Sequence, residues 1–287
     1  MNSFPSNLLR SVRLGAYLLF TLFAMPVQAI ALLCGLRGFT VGFPLFYHRT
    51  VVRILGFRLN VRGRLSTAQP TLFVTNHSSY LDIEMFGAVI PGSFVAKSEV
   101  KGWPLFGWLA RLQRTVFVDR RVRSSAEQRD SLAARLQSGD NVILFPEGTS
   151  NDGTRLRPFK SALFSAAEIR VESRPVTVQP VTLSYTKLNG MPIGRDIRPL
   201  FAWFGDMELV GHLWTVAGLG ITDIVIEFHP PVTIDCFGSR KKLAEHCERV
   251  IAEGLSAANS GRLAPLGETV PDEAPRAVGG AEAMTAT

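Results

Sequence analysis

His77 and Asp82 are the residues whose types and spacing point most directly to chemistry. They lie in Asn76-His77-Ser78-Ser79-Tyr80-Leu81-Asp82, behind the apolar run Thr71-Leu72-Phe73-Val74 and ahead of Ile83-Glu84-Met85-Phe86-Gly87-Ala88. The first run has the length and composition of a buried strand, and the second continues as a helix. The junction between a strand end and a helix start is where open α/β sheets build sites. A turn into the helix folds Asp82 back under the His77 ring. A carboxylate accepting from one ring nitrogen fixes the tautomer and leaves the other free to take a proton. The pair reads as a general base awaiting a hydroxyl. Ser78 and Ser79 raise a serine-hydrolase reading, but no G-x-S-x-G elbow is present.

Three further clusters fall at predicted strand ends. Arg114-Thr115-Val116-Phe117-Val118-Asp119-Arg120-Arg121 is a strand emptying into a basic turn, and Arg is the side chain best shaped to grip a phosphate through two parallel bonds. Val142-Ile143-Leu144-Phe145-Pro146-Glu147-Gly148-Thr149-Ser150 is a buried strand ending in Pro, a carboxylate and Gly, with Arg155, Arg157 and Lys160 beyond. Glu147 cannot bind a phosphate; it suits a substrate hydroxyl or an arginine that needs orienting. Val178-Gln179-Pro180-Val181-Thr182-Leu183 is a strand interrupted by Pro, which suits an edge or a pocket wall.

The elements that must position these clusters alternate. Strands are expected at 57–61, 70–75, 93–96, 115–118, 141–145, 176–185 and 223–228. Helices are expected at 83–88, 104–113 and 124–138, the last opened by a Ser-Ser-Ala-Glu capping box at 124–127 and stopped by Gly139. Strand and helix taking turns implies an α/β fold with a mixed, largely parallel sheet flanked by helices.

Ahead of this body lie two hydrophobic segments. Residues 14–33 hold no charge and are long enough to cross a bilayer core of about 30 Å; Pro26 and Gln28 also allow a kinked or re-entrant helix. Residues 39–57 are apolar and aromatic with internal Arg49 and Arg53, and read as interfacial. The formal net charge is +7, and residues 1–81 carry eight Arg with no Lys and no acid. Such a cationic, apolar N-terminal third suits an anionic membrane surface. Nucleic acid is set aside, since no zinc-finger spacing, aromatic single-strand motif or basic recognition helix occurs. Cys34, Cys236 and Cys247 form no metal or disulfide pattern and read as reduced thiols. Pro, Gly and Ala dominate 260–287, a composition of disorder. The expected division is a membrane anchor with interfacial helices over 1–56, a catalytic domain over 57–259 and a tail over 260–287. Arg outnumbers Lys 25 to 6, which fits a GC-rich bacterial genome and places the chain at an inner membrane with its catalytic domain on the cytoplasmic side.

In this order and spacing the clusters resemble the glycerolipid acyltransferases of the lysophosphatidate acyltransferase (PlsC-like) family. The matching pieces are the NHxxxxD block at 76–82, the block ending at Arg120, FPEGT at 145–149, the Pro strand at 180, and Val95-Ala96-Lys97-Ser98-Glu99 with Pro104 and Gly107. The likeness covers about residues 55–235 and implies an acyltransferase domain that moves an acyl group from acyl-ACP or acyl-CoA to a lysophospholipid hydroxyl. His77 is then the base and Asp82 its orienting carboxylate. Asn76, Lys97, Arg120, Glu147, Gly148, Thr149, Arg155 and Arg157 are then the substrate-binding set, with Arg120 and the 147–149 turn holding a glycerol phosphate. A thioester brings its own leaving group, so no enzyme nucleophile, metal or cofactor is called for. Two departures bear on the acceptor. Arg114 stands where the family usually has Gly, and Ser150 stands where it usually has a basic residue, a charge that Arg155 or Arg157 can supply. The expected acceptor is 1-acyl-glycerol-3-phosphate, with lyso-ornithine lipid as the alternative and a non-catalytic lipid binder as the reading from another class.

Overall fold

The computed structural model describes residues 6–118 and 125–263. In chain order its elements are α1 (Asn7–Leu33), α2 (Arg37–Ile54), β1 (Phe57–Gly63), β2 (Thr71–Thr75), α3 (Leu81–Gly87), β3 (Ser93–Lys97), α4 (Phe106–Leu112), β4 (Val116–Val118), α5 (Ser125–Gln137), β5 (Val142–Leu144), β6 (Arg170–Val171), β7 (Arg174–Pro175), β8 (Thr177–Leu188), β9 (Met191–Pro192), α6 (Leu209–Ala217), β10 (Thr222–Phe228) and α7 (Arg240–Asn259). The main sheet runs β1-β10-β8-β2-β5-β3-β4, with β9 attached to β8. Along that path only β10 and β8 pair antiparallel. The expected mixed, largely parallel sheet is what the chain forms.

Alternation along the strands sorts side chains into two cores. In β2, Phe73 faces one sheet side with Phe86, Phe94 and Ile143, while Leu72 and Val74 face the other with Leu136, Phe164 and Leu243. Residues of α1, α2 and α3 close the first side; residues of α5, the 3₁₀ segment Ser161–Glu168 and α7 close the second. Each large side chain buried this way contributes about 1.5–3 kcal/mol. The β2 and β5 strands are buried on both faces, which is why their sequences are continuous apolar runs rather than alternating ones.

One expectation about position is overturned. Pro180 does not mark an edge, because β8 lies between β10 and β2. The carbonyl of Pro180 accepts from His229 N–H just past the end of β10. A residue's N–H and C=O leave a strand on the same side. The N–H that proline lacks would face His229 O, which accepts from Gln179 Nε2 at 2.9 Å instead. Helix α2 is divided between the body and the outside. Tyr47, His48, Val51 and Val52 are buried against the sheet, while the remaining surface, including Phe39 and Phe46, is exposed. Arg49 turns its Nε to the Ala88 carbonyl at 2.9 Å.

Helix α1 docks by one face. Tyr17, Thr21, Ala24, Gln28 and Ala31 recur at helical spacing and are buried. Thr21 bonds Tyr47 Oη at 2.9 Å, and Gln28 Nε2 donates to the carbonyls of Thr40 and Leu112. The opposite face presents Leu19, Leu22, Phe23 and Ile30 to the outside, with Phe23 76% exposed.

Candidate active site

Strands β2 and β5 run side by side and parallel, and the site forms where both end. Asn76 leaves β2 and spends its amide on the backbone of β8, donating to Leu183 O at 2.9 Å and accepting from Leu183 N–H at 2.8 Å. This staple presents the next residue, His77, at the sheet end. Its backbone is held on both sides: Glu147 Oε1 accepts from His77 N–H at 2.7 Å, and Asn151 N–H donates to His77 O at 3.2 Å. Trp203 N–H takes the neighbouring carbonyl, Ser78 O, at 2.9 Å.

The ring of His77 stacks on Phe145, centroids 4.1 Å apart. Its Nδ1 lies 3.0 Å from Asp82 Oδ2 in the first turn of α3. Asp82 is fully buried and saturated with donors. Ser78 N–H and Ser79 N–H reach Oδ2 at 2.7 and 2.9 Å, and Tyr185 Oη–H reaches Oδ1 at 2.9 Å. Surrounded only by donors, the carboxylate leaves Nδ1 the role of donor as well. His77 Nε2 has no hydrogen-bond partner among the described residues, and the side chain retains 19% exposure. Nε2 is thus the atom left to accept a proton. Burial and the adjacent Asp82 charge hold the Tyr185 phenol well above its ordinary range, so it stays a donor.

Glu147 lies 2% exposed. Burial pushes its carboxyl pKa up, and the N–H groups of Arg157 and His77 together with the Asn151 amide pull it back. Oε2 accepts from Asn151 Nδ2 at 2.5 Å and from Arg157 N–H at 2.9 Å. Both oxygens are occupied by the protein itself, so Glu147 ties the turn after β5 to the backbone of His77. Gly148 turns at φ +70°, and a Cβ there would stand 2.9 Å from Lys160 Nζ. That closeness brings a lysine onto the FPEGT turn from twelve positions along the chain.

The structure brings His77, Asp82, Asn76, Glu147 and Gly148 together. Thr149 is half-buried on the same turn, while Arg155 and Arg157 are exposed on the following loop. Lys97 ends β3, half-buried. Arg120 lies outside the described residues, as does the residue opening the expected capping box at 124. Tyr185 and Asn151 were not singled out by sequence reasoning, and Lys160 was noted only as a cation beyond the FPEGT turn. Tyr185 carried a weak signal, since it lies in an apolar strand two positions from Leu183 and so shares its face. Arg114 explains its own departure from the family pattern. It sits at φ +58°, the left-handed region where glycine costs least, and its Nη1 is anchored to Asp140 Oδ2 at 3.0 Å. Arg135 and Arg37 bond the same carboxylate.

Comparison with known proteins bears on this arrangement. Residues 58–184 match the acyltransferase family model. The chain is 43% identical over 233 residues to the lyso-ornithine lipid O-acyltransferase of Brucella abortus (strain 2308), covering 80% of this chain and 87% of that one. The chain belongs to the glycerolipid acyltransferase family. It is 32% identical to the 1-acyl-sn-glycerol-3-phosphate acyltransferase of Neisseria gonorrhoeae, over 76% of this chain and 87% of the relative. The crystal structure of the 1-acyl-sn-glycerophosphate acyltransferase PlsC from Thermotoga maritima superposes with a TM-score of 0.56, covering 88% of this chain and all of that one at 23% identity. The fold is shared with that enzyme. As a member of this family the protein is an O-acyltransferase of lysolipids.

Proposed function

We propose that the protein acylates lyso-ornithine lipid at a membrane surface, with His77 as general base. The observation that carries the chemistry is the free Nε2 of an imidazole whose Nδ1 is held by a buried, donor-saturated carboxylate. An alcohol is a poor nucleophile near neutral pH. His77 Nε2 takes the acceptor's hydroxyl proton as the oxygen attacks the thioester carbonyl carbon. The tetrahedral intermediate then expels the thiolate, which recovers that proton from the imidazolium; one ester and one thiol result. Base catalysis of this kind accounts for about 10²–10⁴ in rate. Asp82 steadies the imidazolium while it exists.

The identities support lyso-ornithine lipid ahead of 1-acyl-glycerol-3-phosphate, reversing the order drawn from the motifs: 43% to a relative named for the first against 32% to one named for the second. Ser150, in place of the basic residue that commonly follows FPEGT, points the same way. Arg157, Lys97, Thr149 and Arg120 remain the residues assigned to hold the acceptor, with Lys160 added by its position over Gly148, and Arg155 is assigned to the donor. The donor is acyl-ACP or acyl-CoA.

The body rests on lipid through the outer face of α1. That helix is long and apolar enough to cross a membrane, yet from Arg13 to Gln28 it is bonded to α2, α4 and the end of α6. A helix fastened along its length to the catalytic body lies beside it, with Leu22 and Phe23 dipping into the acyl region. The membrane is the inner one and the body faces the cytoplasm.

Thiol release from acyl-ACP and acyl-CoA tests the reading, with lyso-ornithine lipid, with lysophosphatidate, and with neither. The expected result is acceptor-dependent release, greater with lyso-ornithine lipid and lost in His77→Ala. Preference for lysophosphatidate reverses the acceptor assignment, and release without any acceptor makes the protein a hydrolase. No release with either acceptor points to a lipid-binding role.

A further inference from the structure

A second cluster of cations lies behind the loop that carries Asn151. Arg155, Arg195 and Arg198 line a cavity of about 630 Å³ walled also by the later turns of α7. That is ample for a small-molecule group, since such sites run to about 300–1,000 Å³. Arg198 is 7% exposed. Its Nη2 donates to Ile193 O at 3.0 Å and Asn259 O at 3.4 Å, while its buried Nε has no partner among the described residues. The guanidinium groups of Arg155 and Arg195 have neither a hydrogen bond nor an ion pair among the described residues, and no carboxylate comes within ion-pair distance of any of the three. The nearby acids are already engaged. Asp152, which faces Arg195 and Arg198 at longer range, takes Thr154 N–H and Oγ1–H, and Glu248 on the wall takes Phe159 N–H at 2.8 Å.

The cavity is joined to the catalytic loop. A Cβ on Gly153 would stand 3.4 Å from Arg198 Cγ and 3.6 Å from Ser78 Cβ, while Asn151, two residues earlier, holds His77 O. One loop thus separates His77 from three arginines. Its wall combines late residues of α7 with Ile193, which packs into the core on the α1 and α2 side.

We propose that this cavity binds the phosphate of the acyl donor's arm. The proposal rests on the acyl-transfer reading above and names a subsite for it. Coenzyme A and carrier-protein thioesters both present phosphate on a flexible arm that approaches from water. Guanidinium forks match phosphate oxygens two at a time, and an oxygen placed here satisfies the orphaned Arg198 Nε. An anionic acceptor headgroup offers the same chemistry, and the two arms of the test below tell the two apart.

The test uses the full chain in detergent. Arg155→Ala, Arg195→Ala and the double variant are compared with wild type, varying donor at saturating acceptor and the reverse. Both side chains are exposed, so folding is not at stake. Donor KM is expected to rise about tenfold or more in the double variant, with kcat and acceptor KM within about twofold. Arg170→Ala, an exposed arginine on the β6–β7 hairpin, controls for bulk charge and leaves donor KM unchanged. In parallel, His77→Ala protein with and without the double substitution is titrated with CoA and with phosphopantetheinylated carrier protein; binding of at least one weakens about tenfold. Unchanged donor KM and unchanged titrations overturn the proposal. A rise in acceptor KM instead assigns the cavity to the headgroup and also overturns it. If wild type transfers to no lysolipid, the function reading fails, and the titrations still decide the cavity.

Discussion

Asp82→Asn isolates the electrostatic part of the mechanism. The asparagine oxygen can take the place of Oδ2 and keep the bonds from His77 Nδ1, Ser78 N–H and Ser79 N–H. Its amide nitrogen then faces Tyr185 Oη, which can turn from donor to acceptor. Shape survives and charge does not. The missing term is the attraction between a carboxylate and the imidazolium that exists only after proton transfer. At the observed 3.0 Å and an effective dielectric of about 20, Coulomb's law gives about 5 kcal/mol. The remaining amide dipole recovers part, which leaves a loss of about 3–5 kcal/mol, or about 10²–10⁴ in kcat. KM for either substrate should move little, because neither ground state carries the imidazolium. Steady-state thiol release measures this, with circular dichroism and a melting curve to establish that the variant is folded. A folded Asp82→Asn protein that keeps kcat within tenfold of wild type, or loses only KM, refutes the assignment of His77 as base.

Other perturbations follow from the same contacts. Glu147→Gln can accept on one side only, so its NH₂ meets either His77 N–H or the N–H groups of Asn151 and Arg157; a stability loss of about 2–4 kcal/mol and a fall in kcat are expected in urea titration and the thiol assay. His229, bonded to Thr182 and half-buried, has its pKa lowered from 6.5 to about 4 by desolvation, with His246 adding to the effect. Unfolded chain therefore binds the proton first: the full stability contribution is present above pH 6.5 and is lost as pH falls toward 4, amounting to about 2 kcal/mol by pH 5. The difference between wild type and His229→Gln in melts at pH 7.5 and pH 5 reads this directly. On the exposed face of α1, Leu22→Glu with Phe23→Glu should reduce co-flotation with anionic vesicles by about tenfold or more while leaving the melting temperature within a few degrees; vesicle binding equal to wild type would remove α1 as the lipid-contacting surface.

Much of the site was legible because its signals are local. His77 and Asp82 are five positions apart, and a strand followed by a helix turn brings them together whatever surrounds them. Buried runs such as Leu72-Phe73-Val74 and Val142-Ile143-Leu144 announce central strands by composition alone. The alternation of elements was likewise enough to predict a largely parallel sheet. What the sequence left open were readings that needed to know a neighbour. Pro180 looks like an edge residue until β8 is seen between β10 and β2, with Gln179 supplying the bond that proline cannot. The aromatic and arginine content of α2 suggests an interface until Tyr47, Val51 and Val52 are seen against the sheet. Glu147 looks available to a substrate until its oxygens are found on three N–H groups, two of them from loops seventy and ten residues away.

Sequence alone thus determined the meeting of His77 with Asp82, the parallel strands that carry them and an apolar N-terminal helix, because each depends on residues within a turn or a strand of one another. Tertiary structure decided which groups are left unsatisfied. It consumed Asn76 and Glu147 as backbone anchors, recruited Tyr185 to Asp82 across 103 positions, and set Lys160 over Gly148. The physical reason is that a polar group's role depends on whether another group has already taken its hydrogen bonds, and that is settled only when distant segments meet.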